Sequence, residues 1–105
     1  MGPQPQRSAR VLIEVDGRMV EQRKLNKPVL TVGRLPDSDV NIPSQRVSRL
    51  HAKIRWVQEY GTWVIEDRES LNGITFQGRR VDKHILNKGD RIYLAPSVLL
   101  FYEPV

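Results

Sequence analysis

Turn-forming residues cut this 105-residue chain into short alternating apolar runs, and that cadence restricts it to a β architecture. Val11, Ile13 and Val15 alternate with polar neighbours and then meet Asp16-Gly17, where both residues accept the positive φ of a two-residue hairpin. The return arm runs from Arg18 to Leu25, and Val29 to Val32 forms another run closed by Gly33. Leu35 to Asp39 reads as a loop, followed by Val40 and Ile42 at strand spacing and a stop at Pro43. Ala52, Ile54 and Trp56 alternate, Tyr60-Gly61 breaks the run, and Trp63 and Ile65 resume it. Ile74 and Phe76 lead into a tight turn at Gln77-Gly78. Ile92 and Leu94, then Val98, Leu100 and Tyr102, close the chain around a turn at Ala95-Pro96-Ser97. Short runs with a turn about every 8 to 12 residues predict an all-β sandwich of two antiparallel sheets. Residues 1–9, rich in Pro and Gln, read as a disordered tail, and residues 10–105 as one domain.

One segment admits a second reading. Ser44 to Tyr60 contains no Gly or Pro, and Val47, Leu50, Ile54 and Val57 fall at helical spacing. With Arg46, Arg49, Lys53 and Arg55 it has the pattern of a basic amphipathic helix that could read DNA. Such a helix would leave Trp56 off its apolar stripe, which favours the strand reading.

Composition excludes several chemistries. There is no cysteine, hence no disulfide scaffold, thiol nucleophile or thiolate metal site. Two histidines, His51 and His84, are too few for a histidine-based metal cluster. No cofactor and no metal is therefore expected. The first seven residues hold no apolar segment of a signal peptide, and no stretch approaches the ~18 apolar residues of a membrane helix. The net charge of +5 favours an anionic partner without choosing among nucleic acid, acidic lipid and phosphorylated protein.

Three loop motifs narrow that choice: Gly33-Arg34 after an apolar run, Ser48-Arg49-Leu50-His51, and Asp67-Arg68-Glu69-Ser70-Leu71-Asn72-Gly73. Their order and spacing, with the later Gly78 turn and Leu86-x-x-Gly89-Asp90-x-Ile92, resemble the forkhead-associated (FHA) domain, a β-sandwich that binds phosphothreonine peptides. The resemblance covers roughly Val11 to Tyr102. It implies that Arg34 and Ser48 hydrogen-bond the phosphate, that Arg49 adds charge beside it, and that Asn72 meets the peptide backbone. The donor types suit the task, because a phosphothreonine carries about −1.5 to −2 charge and three acceptor oxygens. A guanidinium matches that geometry, and a side-chain amide donates and accepts at once. The resemblance makes Gly33, His51, Asp67, Ser70 and Gly73 structural supports of the binding loops. It also implies a small pocket for the threonine methyl beside Asn72 and Gly73.

The chain departs from the family pattern at Leu71, where a hydroxyl residue often donates to the phosphate, and at Ile74, often Thr. Leu71 is thus placed at the phosphate's edge without a side-chain donor.

No catalysis is expected. A general-base pairing of His51 with Ser48 fails because an offset of three along a strand points side chains to opposite faces, and no Gly-x-Ser-x-Gly elbow is present. The leading expectation is a non-catalytic phosphothreonine-binding module of a larger signalling or regulatory protein, intracellular (cytoplasmic or nuclear) and monomeric as an isolated module. Its partner is a phosphothreonine-containing protein, with no membrane and no nucleic acid. Two alternatives stand beside it. One is a degenerate FHA scaffold making phosphate-independent contacts. The other is a basic nucleic-acid-binding β-barrel that stacks bases on Trp56, Trp63 and Tyr93. His84 reads as a surface residue.

Overall fold

The computed structural model describes residues 8–105. The first seven residues of the expected tail lie outside the described residues, and the first strand opens at Ala9. Eleven strands follow among the described residues: β1 Ala9–Val15, β2 Arg18–Lys24, β3 Val29–Gly33, β4 Val40–Asn41, β5 Ala52–Val57, β6 Thr62–Asp67, β7 Ile74–Phe76, β8 Arg79–Val81, β9 Lys83–Ile85, β10 Arg91–Ala95 and β11 Val98–Pro104. They form two sheets, ordered β2-β1-β11-β10-β7-β8 and β4-β3-β5-β6-β9. The sheets stack as a sandwich and do not close on themselves. Pairing is antiparallel except between β3 and β4, which run parallel over two residues.

Alternation decides the faces. Val11 and Ile13 of β1, Leu30 and Val32 of β3, Ile54 and Trp56 of β5, and Ile92 and Leu94 of β10 point inward and are buried. Trp56 and Trp63 stand opposite each other across β5 and β6, edge to face, with ring centroids 5.4 Å apart. Both are buried, so they pack the core and offer no stacking platform to bases. The two open sheets exclude the barrel, and of its three proposed stacking aromatics only Tyr93 of β10 is exposed. The helical alternative falls too. Residues 44–51 are irregular and β5 begins at Ala52, because pairing with both β3 and β6 satisfies the backbone of this segment.

The hairpin turns follow their residues. Asp16 and Gly17 have φ of 51° and 81°, and Gln77 and Gly78 have 50° and 79°. Edge strand β2 is mostly exposed and charged, which discourages pairing with another chain. His84 is not a free surface side chain: its Nε2 lies 2.7 Å from Asp90 Oδ2 and its ring stacks on Phe76 at 3.9 Å.

Register sets up the functional end. Val32 pairs with Ala52, and Ala52 pairs with Asp67. The end of β3, the start of β5 and the end of β6 therefore coincide. The three connections that leave them (residues 34–39, 42–51 and 68–73) emerge side by side.

Candidate functional site

The first loop is fastened at both ends. Asp39 accepts from the Thr31 backbone N–H at 2.9 Å and pairs with Lys27 Nζ at 2.6 Å. Burial alone would raise the Asp39 carboxyl. The Lys27 and Thr31 hydrogen bonds outweigh that and hold it below its usual range, so the anchor stays charged. Asn41 Nδ2 donates to the carbonyls of Arg34 and Leu35. Held this way, Arg34 reaches across to the second loop: its backbone N–H donates to Ser48 O at 3.1 Å and its Nε to Val47 O at 3.1 Å. The two terminal guanidinium nitrogens carry no hydrogen bond among the described residues.

The second loop is tied to the opposite sheet. Arg46 forks onto both carboxylate oxygens of Asp16, at 3.1 and 3.0 Å, and donates to Pro96 O at 2.7 Å. Gly33 lies beneath this loop, where a Cβ would collide with the Arg49 carbonyl oxygen. Ser48 Oγ accepts the Leu71 N–H at 3.0 Å, which leaves its own hydroxyl proton available to a ligand. Arg49 is exposed, and its carbonyl accepts the Leu35 N–H at 3.4 Å; its side chain stands outside the hydrogen-bonded network.

The third loop is braced from within. Asp67 Oδ1 accepts the Ser70 hydroxyl, and Ser70 Oγ in turn accepts the Gly73 N–H at 2.8 Å. Positive φ falls on Glu69 (55°) and Gly73 (71°), so Asn72 is not the left-handed residue of its Asn-Gly pair. Asn72 instead spends Nδ2 on Arg46 O at 2.7 Å, which joins the second and third loops. Arg80 of β8 lies against Gly73 and donates Nη2 to Ser70 O at 3.2 Å.

His51 connects the loops through the interior. It is fully buried; its Nδ1 accepts the Ser48 N–H at 3.1 Å, and its Nε2 lies 2.7 Å from Gly73 O. An N–H can only donate, so the partners assign the ring proton to Nε2. Both nitrogens are engaged by backbone, and neither is left to activate Ser48 Oγ. Strand alternation predicts that separation of His51 from Ser48. The actual reason differs, since residues 48–51 are loop and the ring is turned to the Ser48 amide.

Burial pushes the His51 imidazole below its ordinary value near 6.5, assisted by Arg80 and opposed by the Gly73 bond and Asp67. Above that ordinary value both folded and unfolded chains hold it neutral. As pH falls from there through the lowered folded value, the unfolded chain binds the proton first and stability is lost. Urea unfolding should thus show a lower midpoint at pH 5 than at pH 7.5. A His51→Asn variant should show less of that slope; an unchanged slope would assign the titration elsewhere.

The structure therefore brings Arg34, Ser48, Leu71 and Asn72 into one bonded set over a buried scaffold of Gly33, His51, Ser70 and Gly73, with Asp67 bracing Ser70. Sequence reading missed Asp39, Asn41, Arg46 and Arg80. Arg46 was visible only as part of a basic run, and its partner Asp16 lies 30 positions away. No group of three metal-ligating side chains occurs among the described residues. No helix of the structure is long and apolar enough to cross a membrane. The chemistry on offer is donation, from the terminal Arg34 guanidinium nitrogens and the Ser48 hydroxyl.

Comparison with known proteins identifies the family and the fold. A sequence profile of the FHA domain matches residues 30–95. The oxoglutarate dehydrogenase inhibitor of Corynebacterium diphtheriae is 33% identical over 79 residues, covering 75% of this chain and 54% of that protein. The chain spans about half the length of the curated relatives it matches. A solved structure of a Synechocystis sp. protein superposes with a TM-score of 0.79 at 32% identity, covering 93% of this chain and 97% of that one. EmbR of Mycobacterium tuberculosis, solved in complex with a low-affinity phosphopeptide, gives a TM-score of 0.73 at 29% identity, covering 91% of this chain and 24% of that one. The profile match runs from β3 through β10 and spans all three loops, and the chain belongs to the FHA-domain family.

Proposed function

We propose that this domain binds phosphothreonine-bearing segments of partner proteins and catalyses nothing. The observation that carries the reading is the set of uncommitted donors. Arg34 is held by its Nε bond to Val47 O and Ser48 by the Leu71 N–H, and neither bond uses the terminal guanidinium N–H groups or the hydroxyl proton. Arg49 supplies further positive charge at the rim. Asn72 holds the second loop with Nδ2 and keeps Oδ1 for a peptide N–H. The phosphopeptide bound by the related EmbR supports the same ligand class here.

The test is a calorimetric titration of one peptide in unmodified, phosphoserine and phosphothreonine forms, with single-stranded DNA as a fourth ligand. The phosphothreonine form should bind tightest. One buried threonine methyl is worth about 0.8 kcal/mol over phosphoserine. Equal binding of all three peptides would mean a phosphate-independent scaffold, and preference for DNA would overturn the peptide reading.

A further inference from the structure

Three exposed leucines stand on the three loops of the site. Leu35 follows Arg34, Leu50 follows Arg49 and Leu71 precedes Asn72, with 41%, 44% and 84% of their surface exposed. Hydrogen bonds join the three loops at the same end: the Leu35 N–H meets Arg49 O at 3.4 Å, and the Leu71 N–H meets Ser48 Oγ at 3.0 Å. A single exposed leucine on a protein surface is ordinary. One beside each of Arg34, Arg49 and Asn72, on three separate loops, is a surface feature that goes with the site. The exposed charges on the same loops cancel: Asp37 and Glu69 are negative, Arg49 and Arg68 positive. Beyond the phosphate itself, the one consistent property of this rim is apolar.

We infer that the partner segment carries a large apolar residue close to its phosphothreonine, and that this side chain packs on Leu35, Leu50 and Leu71. The inference rests on the phosphothreonine reading above and adds its sequence selectivity. The guanidinium nitrogens of Arg34 and Arg49 require an anion beside the leucines, and a phosphorylated chain delivers anion and apolar group together. Covering part of these leucines removes apolar surface from water, which favours such a peptide over its alanine-flanked counterpart about three- to tenfold.

A phosphothreonine peptide library with each neighbouring position varied should enrich Leu, Ile, Met or Phe at one or more positions. Fluorescence anisotropy then compares a leucine-flanked with an alanine-flanked phosphopeptide on the wild type and on the triple variant Leu35→Ala/Leu50→Ala/Leu71→Ala. The wild type should prefer the leucine-flanked peptide, and the variant should bind the two within about twofold. Enrichment of acidic or basic residues, or a preference that survives the triple substitution, overturns this inference and leaves the phosphothreonine reading standing. Leucine-dependent binding to vesicles containing phosphatidylserine, without any peptide preference, also overturns it. Failure to distinguish phosphorylated from unmodified peptide overturns both.

Discussion

Arg34→Ala and Ser48→Ala should each weaken phosphothreonine-peptide binding by about ten- to a hundredfold, the worth of a hydrogen bond to a charged group. The two losses have different structural routes. Removing the Arg34 side chain deletes the donors and also frees the Val47 carbonyl that aims them. Removing the Ser48 hydroxyl deletes one donor and leaves the Leu71 N–H without its acceptor. Arg34→Lys should recover little, because an ammonium cannot span Val47 O and a phosphate at once. Both sites lie on loops over a buried scaffold, so unfolding free energy should change by only about 1 kcal/mol. Calorimetry with the phosphorylated peptide, together with urea unfolding, checks both halves. Wild-type affinity in both alanine variants would remove Arg34 and Ser48 from the site.

Gly33→Ala should cost about 1–3 kcal/mol of stability, the usual penalty of overpacking a filled interior. Gly33 is not in the left-handed region, so its backbone conformation would accept alanine. The obstacle is the Arg49 carbonyl, with the His51 amide nitrogen 3.3 Å from the same Cβ. Both are backbone atoms and cannot swing away. Relief must come from moving the second loop, which carries Ser48 and Arg49, so phosphopeptide affinity should fall with stability. Gly73→Ala offers a contrast. There the steric neighbour is the Arg80 side chain, which can rotate, and the cost is left-handed backbone, with φ at 71°. Denaturant midpoints of the two variants check this, and a Gly33→Ala midpoint equal to wild type would mean the loop yields freely.

The sandwich was readable because its signals are local. Strands such as β3 and β10 alternate, β6 being the exception with Thr62 to Ile65 all buried, and tight turns show through residues that tolerate positive φ, as at Asp16-Gly17 and Gln77-Gly78. Strands β8 and β9 escaped detection because three-residue arms of polar composition carry no period; their partners β7 and β6 define them. The parallel placement of β4 escaped for a related reason. It depends on Asp39 folding the first loop back onto Thr31, a contact that leaves no pattern in the chain.

At the candidate site, the donor types and their order are legible along the chain, since three motifs in register carry that information. Tertiary structure alone decided their geometry. Asn72 meets Arg46 across 26 positions, His51 meets Gly73 across 22, and Arg46 meets Asp16 across 30. Hydrogen bonds between such distant residues depend on strand register and on how the two sheets stack, and periodicity reports only a strand's own faces, never its neighbour's identity. The strand pattern was therefore written in the chain, whereas the aim of each donor arose only once the sheets had paired.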